Sequence, residues 1–510
     1  IIKQNRLKEK LKESPLTVES MGAQSIRETP ASDFYEALGH LKGVDVTSAS
    51  LGFRIVNTRG FNSTSPVRTL QVIDGVDNQS PGLNFSLGNF LGASELDVLN
   101  QEIVVGASSA YYGPGAFNGV ISMTTKDPFK YQGLQIKQKV AERGLTETAI
   151  RYAKAFGGKP GQEHWAIKAN LFYMKAYDWV ADNMDAVKSG GPMDSVNNKV
   201  NPGGYDAVNR YGDEVLRPGE NDATAKSQKF DYPGLMRFNR QGYEEKDIVD
   251  YNTYNFKTSF MTAYRPKPDG ARQFEYQMNY GMGTTVYQGD NRYSLRDIKF
   301  LQNRIEYKDK NGFLRVYSTN EDAGKTYDAV FTALLMQKAA KQDDLWGGDY
   351  YALWKKRFVP KMKILNGYPT GDWFTNPNWF RELDALMAKN QDSLFVWHEQ
   401  CANLADRKND WQGLPHSIQP NTYQRFAPGT ERFDSLKNAI TTLRSFGQGG
   451  SGFYDKSALY HIQGEHRFAL KDRLSLTAGF SGRLYRPNSM GTIFSDTNNR
   501  KIKNHEYGVY

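Results

Sequence analysis

From Glu163 to Tyr177 the side chains alternate in character. Trp165, Ile167, Ala169, Leu171 and Tyr173 fall on one face, and His164, Lys168 and Asn170 on the other. A period of two belongs to an extended strand with one apolar and one polar face. The pattern recurs along the chain. Tyr254, Phe256, Thr258, Phe260, Thr262 and Tyr264 alternate with Asn255, Lys257 and Ser259, and after Arg265–Gly270 a second set follows. There Phe274, Tyr276, Met278, Tyr280 and Met282 alternate with Gln273, Glu275, Gln277 and Asn279. Near the C-terminal end Tyr460, Ile462 and Phe468 alternate with His461, Gln463, Glu465 and Arg467, and Leu474, Leu476, Ala478, Phe480 and Leu484 come after a turn. These runs reach the roughly 9–11 residues that a tilted strand needs to cross a bilayer. Either a soluble sandwich buries the apolar face, or a barrel turns it to lipid and keeps the polar face for its lumen.

The lengths of the connections favour the barrel. Ten strands are expected near 131–141, 145–157, 163–177, 250–264, 272–288, 291–305, 313–319, 455–469, 473–487 and 503–510. The second, fourth, sixth and eighth connections are short: Gly158–Gln162, Arg265–Ala271, Glu306–Gly312 and Leu470–Arg473. Three of the others, 178–249, 320–454 and 488–502, are long. Tight turns at one end and extended loops at the other are how outer-membrane barrels are built. A soluble sandwich has no reason to sort its loops by parity.

Composition agrees without deciding. No run of eighteen apolar residues marks a transmembrane helix, and barrel strands do not register in such a scan. Aromatics make up 13% of the 510 residues, with 30 Tyr and 28 Phe, which suits interfacial girdles and equally a Tyr-rich soluble β-protein. The single Cys401 excludes an internal disulfide or a thiolate metal cluster. The net charge of +9 is spread along the chain and reads as a solvated surface.

Residues 102–126 carry the most specific pattern: two β-branched runs flank a dense set of glycines and small residues. Upstream lies Arg68-Thr-Leu-Gln-Val-Ile-Asp-Gly-Val76, a short strand ending at an Asp-Gly turn. Together they resemble the plug domain of TonB-dependent outer-membrane receptors. The match runs through Ile73, Asp74, Gly75, Val76, Glu102, Ser109, Tyr112, Gly113, Ala116, Gly119, Val120, Ile121, Thr125 and Lys126, with Arg59-Gly60-Phe61 as a further element. Val105 and Ala107 stand where that family usually has Arg and Pro.

The resemblance implies a membrane all-β protein: a plugged 22-stranded antiparallel transmembrane β-barrel in the bacterial outer membrane, with an N-terminal α/β plug domain. Residues 1–14 form an N-terminal segment, 15–128 the plug, and 129–510 about the first ten wall strands, with large extracellular loops at 178–249 and 320–454. Ten strands enclose too little space for such a plug. The chain also stops within a strand pattern, so the rest of the barrel is expected beyond residue 510. A leader is expected either before residue 1 or already removed, and the energy-coupling segment is not identifiable within the chain. The resemblance makes the plug a gate, opened by a TonB-type energy-coupling protein in the periplasm. Its candidate residues are Arg59, Arg68, Asp74, Gly75, Glu102, Tyr112 and Gly113. Asp74-Gly75 and Tyr112-Gly113 are expected to shape turns, Arg59 and Arg68 to pair with wall carboxylates, and Glu102 with wall Lys or Arg.

Six of the eight tryptophans, Trp346, Trp354, Trp373, Trp379, Trp397 and Trp411, lie in the 320–454 loop, where Asn378–Lys408 has helical periodicity. They form either a small aromatic core or a surface for a ligand or a partner lipoprotein. No catalytic constellation is present: the seven histidines lack metal-ligand spacing, and Gly113-Pro-Gly-Ala-Phe-Asn118 is no dinucleotide loop. No enzyme activity, cofactor, metal or nucleic-acid partner is expected; outer-membrane lipids are. Two functions remain open. One is TonB-dependent import of a scarce nutrient (iron chelate, cobalamin-like cofactor, oligosaccharide or peptide). The other is a receptor-fold scaffold or binding component of a surface complex.

Overall fold

The computed structural model describes residues 17–510 except 32, 66, 84, 107–111, 114, 186–192, 195–198, 201–206, 214–225, 236–237, 290, 407–424 and 472–473. The plug is a mixed sheet with little helix. Its strands are β1 (Val18–Gly22), β2 (Val44–Ser50), β3 (Phe53–Thr58), β4 (Thr69–Ile73), β5 (Val76–Asp77), β6 (Val98–Val105) and β7 (Gly119–Thr125). Five of them run in the order β1-β6-β7-β4-β5, with only β4–β7 parallel, and β2–β3 form a separate hairpin. Helix α1 (Ala23–Glu28) and the 3-10 turn Glu36–His40 close one face over Leu38, Ile103 and Ile121.

The wall begins at Gly133. Its ten strands are β8 (Gly133–Val140), β9 (Thr146–Phe156), β10 (Trp165–Tyr177), β11 (Asn252–Tyr264), β12 (Arg272–Gln288), β13 (Arg292–Asp309), β14 (Gly312–Asp322), β15 (Ala458–Lys471), β16 (Leu474–Arg486) and β17 (Asn504–Val509). Each pairs antiparallel with the one before it, so the wall is a simple meander. Connections therefore alternate between its two ends. The 178–251, 323–457 and 487–503 loops leave one end, together with the short connections after Val140 and Gln288, and the turns at 157–164, 265–271 and 310–311 lie at the other. The short connection expected at Glu306–Gly312 is present but narrower, a turn at Lys310-Asn311, because β13 runs on to Asp309 and β14 starts at Gly312. The charges there look like a turn, but Glu306 points inward and is paired with Arg315.

Alternation sets which face meets lipid. Trp165, Leu171, Phe260, Tyr276 and Phe480 are exposed, while Lys168, Asn170, Lys257 and Gln277 are buried against the plug. Ile167 and Phe256 share the outward face and Glu465 the inward one, each half-buried. No helix of the described residues is long and apolar enough to cross a membrane.

The 323–457 loop is a helical subdomain holding α2 (Ala329–Ala340), α3 (Asp343–Leu353), α4 (Trp379–Lys389), α5 (Gln391–Asp406) and α6 (Glu431–Thr442). The helical stretch expected at 378–408 breaks at Asn390 into α4 and α5. Trp346, Trp354 and Trp379 are core, each at most 1% exposed. Trp373 and Trp397 pack half-buried at its edge, and Trp411 lies outside the described residues. The reading of this set as a binding surface is thus corrected for its three buried rings, whose faces are used up by packing. Tyr350 stacks on Phe238 with 4.1 Å between ring centroids, and His398 Nε2 lies 3.0 Å from the Gly234 carbonyl. Leu235 and Phe238, from the other long loop, belong to the same core.

Candidate functional site

The junction of plug and wall brings most of the buried charge together. At its centre is the two-residue turn between β4 and β5. Asp74 (φ 49°) and Gly75 (φ 79°) both take the left-handed backbone that a tight primed hairpin requires. The Asp74 carboxylate accepts hydrogen bonds from Thr125 N at 2.9 Å and Thr125 Oγ1 at 2.6 Å, tying the turn to β7. Burial alone would raise the pKa of that carboxyl. The charges of Arg304 and Lys168, with the two Thr125 bonds, outweigh burial and hold it below the ordinary range.

Wall side chains grip this turn from outside. Arg304 Nη1 donates to the Asp74 carbonyl at 3.0 Å. Arg315 Nη1 and Gln463 Nε2 donate to the Gly75 carbonyl at 2.7 and 2.9 Å. Arg483 Nη2 pairs with Asp77 at 2.8 Å. The guanidinium groups are in turn neutralised by the wall: Arg304 by Glu275 at 2.8 Å, and Arg315 by Glu306 at 3.1 Å. A Cβ on Gly75 would run into the Arg315 guanidinium, so glycine is what allows the close approach.

A second contact forms one strand layer away. Asp97, in the plug, pairs with Arg151 Nε at 2.7 Å and Lys168 Nζ at 2.8 Å. Glu95 pairs with Lys137 and Lys139. Arg304 and Arg315 of the first contact and Lys168 of the second lie toward the short-turn ends of their strands, whereas Arg483 and Lys139 lie toward the ends that carry the long loops. Toward the long loops the interface turns apolar, where Phe53, Phe85 and Phe90 pack against Tyr287, Ile298 and Phe300 of the wall.

Several sequence-derived candidates converge here. Gly113 (φ 80°) lies under Arg483, and Tyr112 lines a small cavity with Asp74, Gly75 and Arg483. Glu102 accepts from Asn100 Nδ2 at 2.8 Å and borders a 480 Å³ cavity lined also by Lys168, Arg304 and Lys308. The expected pairing of Arg59 and Arg68 with wall carboxylates does not occur among the described residues. Arg59 is exposed, and its left-handed φ of 57° turns the side chain back over Gly106 of the plug itself. Arg68 is exposed and uses its carbonyl, which accepts from Asn118 N at 2.8 Å. The wall carboxylates Glu275 and Glu306 are already matched by wall bases.

The residues that sequence reasoning missed are Asp77, Asp97 and Glu95 in the plug and Arg151, Arg304, Arg315 and Arg483 in the wall. Their signal was present. Each wall base stands at a polar-parity position inside a long strand, where a charge is tolerated only with a partner.

Residues 10–120 match the family model described as the TonB-dependent Receptor Plug Domain. The vitamin B12 transporter BtuB of Vibrio cholerae is 27% identical over 167 residues, covering 33% of this chain and 27% of that protein. Among solved structures, the siderophore receptor PirA of Acinetobacter baumannii is 10% identical with a TM-score of 0.46, over 98% of this chain and 54% of its own. The copper transporter OprC is 11% identical with a TM-score of 0.44, over 97% of this chain and 52% of its own. The chain spans about half the length of those two proteins. Its N-terminal domain is a plug of the TonB-dependent receptor family, and the strands that follow form an antiparallel wall around it.

Proposed function

We propose that this chain is the gate and adjoining wall of an outer-membrane importer that takes up a scarce nutrient by TonB-dependent transport. The observation that carries the reading is the grip of Arg304, Arg315 and Arg483 on the Asp74–Asp77 turn. Such polar contacts hold the plug only while geometry is kept, and a small shift releases several together. Arg304 and Arg315 flank the short turn between β13 and β14, at the end where a periplasmic coupling protein would pull. Strand β1, at the sheet edge and paired only with β6, is the first element a pull on the N-terminal segment would strip away. Cargo is selected at the opposite end, by the loops and plug apices. Iron chelates, cobalamin-like cofactors, oligosaccharides and peptides are the classes to compare.

The test bridges the plug to the wall. Cysteines replace Asp77 and Arg483 in the full-length protein in its own outer membrane, where native Cys401 is buried. A cleavable bifunctional thiol reagent then joins them. Uptake of each cargo class is measured in cells with and without the coupling protein. Loss of uptake on bridging, recovery on cleavage and dependence on the coupling protein are the expected results. Binding without uptake, unchanged by bridging, would favour a scaffold that serves a surface lipoprotein partner.

A further inference from the structure

Where the plug meets the long-loop end of the wall, two carboxylates face each other with no base between them. Glu321 stands near the end of β14 on the inward face, opposite Phe300 of β13, and is 8% exposed. Asp455, from the last residues of the 323–457 loop, is 2% exposed. The backbone holds the two together. Glu321 N donates to the Ser457 carbonyl at 3.1 Å, and Ala323 N to the Asp455 carbonyl at 2.8 Å.

Plug residues 80–83 close over the pair. Ser80 Oγ donates to Glu321 Oε2, and Gly82 N donates to Glu321 Oε1. Leu83 N donates to Ser80 Oγ at 3.2 Å, which folds this short loop on itself. A Cβ on Gly82 would land on both Glu321 Oε1 and Asp455 Oδ2, so these two oxygens converge on one point. Asp455 Oδ1 accepts from Ser457 N at 3.0 Å and from the Ser457 hydroxyl. Its Oδ2 is buried and meets no N–H or O–H donor among the described residues.

The surrounding elements leave this charge uncompensated. β13 offers the Phe300 ring, and the plug offers one hydroxyl and one amide. Asp496 adds a third carboxylate nearby, itself held by Ser489 Oγ at 2.7 Å and Gly491 N at 2.8 Å. Lys456, next in sequence to Asp455, pairs with Asp322 at 3.4 Å instead. Two ionised carboxylates at this depth repel each other, and burial disfavours each charge further. A single proton removes one charge and supplies the donor that Asp455 Oδ2 lacks. Burial accordingly moves the Asp455 pKa above the ordinary carboxyl range, despite hydrogen bonds from Glu321 and Ser457 that lower it.

We propose that Glu321 and Asp455 share one proton and latch plug loop 80–83 to the wall, closed in acid and released as the proton leaves. The folded pair keeps its proton above the pH at which a free carboxyl loses one, about 4. Its contribution is complete below that value and is lost as pH rises through the folded value. The sign is opposite to that of Asp74, whose depressed pKa makes its contribution fail on the acid side. The latch is separate from the Asp74–Asp77 contacts and does not depend on what the chain imports.

The full-length protein in outer-membrane vesicles is followed by hydrogen–deuterium exchange from about pH 5 to about pH 8. Exchange of a peptide spanning 80–83 is divided by that of β6 in the same sample, which cancels the chemical pH dependence of amide exchange. The ratio is expected to rise about tenfold across that range, as the two plug bonds to Glu321 are lost. Asp455→Asn puts an amide NH2 where Oδ2 stands, a donor to Glu321 at every pH, and the ratio stays low and flat. Glu321→Ala removes the acceptor of both plug bonds, and the ratio is high and flat. Heat-modifiable gel migration checks that each variant is folded. In infrared difference spectra, the protonated-carboxyl band that disappears over this pH range is missing from both variants. A wild-type pH response in Asp455→Asn, or a flat ratio in the unaltered protein, overturns the proposal. So does closure at about pH 8 that needs calcium and is lost on chelation, because a cation rather than a proton would then join the carboxylates.

Discussion

Gly75 is one atom away from not working. Its φ of 79° already disfavours any side chain, and the space where a Cβ would go holds the Arg315 guanidinium. Gly75→Ala is expected to cost about 1–2 kcal/mol from the backbone alone, and further through displacement of Arg315. Protease accessibility of the plug in the assembled protein should rise, with the wall strands still protected. Asp74 makes the complementary test by pH. Its folded-state pKa is depressed, so its contribution is fully present above the ordinary carboxyl value of about 4 and is lost as pH falls through the lower, folded value. Plug retention measured against pH should therefore decline on the acid side, and Asp74→Asn should remove that component of the decline. The turn itself was legible in the sequence, because Asp-Gly between two apolar runs has a local cause. Its captors were not. Arg304, Arg315 and Arg483 are more than two hundred residues away along the chain, and no local rule links them to the turn.

At the scale of elements, charge inside a strand misled and aromatic clustering divided. Glu306-Tyr-Lys-Asp309 carries the composition of a turn, yet it is ladder because Glu306 is sandwiched between Arg304 and Arg315. Removing that carboxylate leaves two buried guanidinium groups undercompensated. Glu306→Gln is expected to destabilise the wall by about 3–5 kcal/mol, read as a lower urea midpoint of the refolded protein. The tryptophans of the long loop posed core against surface, and three of them went to the core. Helical spacing in α4 pointed to that outcome, while α2, α3 and α6 gave no comparable periodic signal in the sequence reading. Trp354→Ala removes a ring with no exposed surface that stacks on His398 at 4.1 Å. It should cost about 3–5 kcal/mol, collapsing the near-ultraviolet dichroism of the subdomain while the barrel keeps its heat-resistant migration.

The molecule as a whole follows from a single parity. Outward positions meet lipid and inward ones meet the plug, so a charge placed outward at mid-membrane height should cost about 2–4 kcal/mol. Leu171→Arg is the case to make, with folding yield into bilayers as the measure. Leu171→Ile should fold normally. This parity was readable because every strand repeats it, whereas the docking of plug on wall depends on pairs that meet only after the meander wraps around the plug sheet. One feature of the long loops reaches further. Leu235 and Phe238 rise from the β10–β11 connection, while Trp346, Tyr350 and Trp354 rise from the β14–β15 connection, and they share one core. The two loops thus clasp hands above the four strands between them. Neither can be exchanged alone without stranding half of an aromatic core in water. Grafting these loops has to transfer the 178–251 and 323–457 segments together, as one module written in two distant parts of the chain.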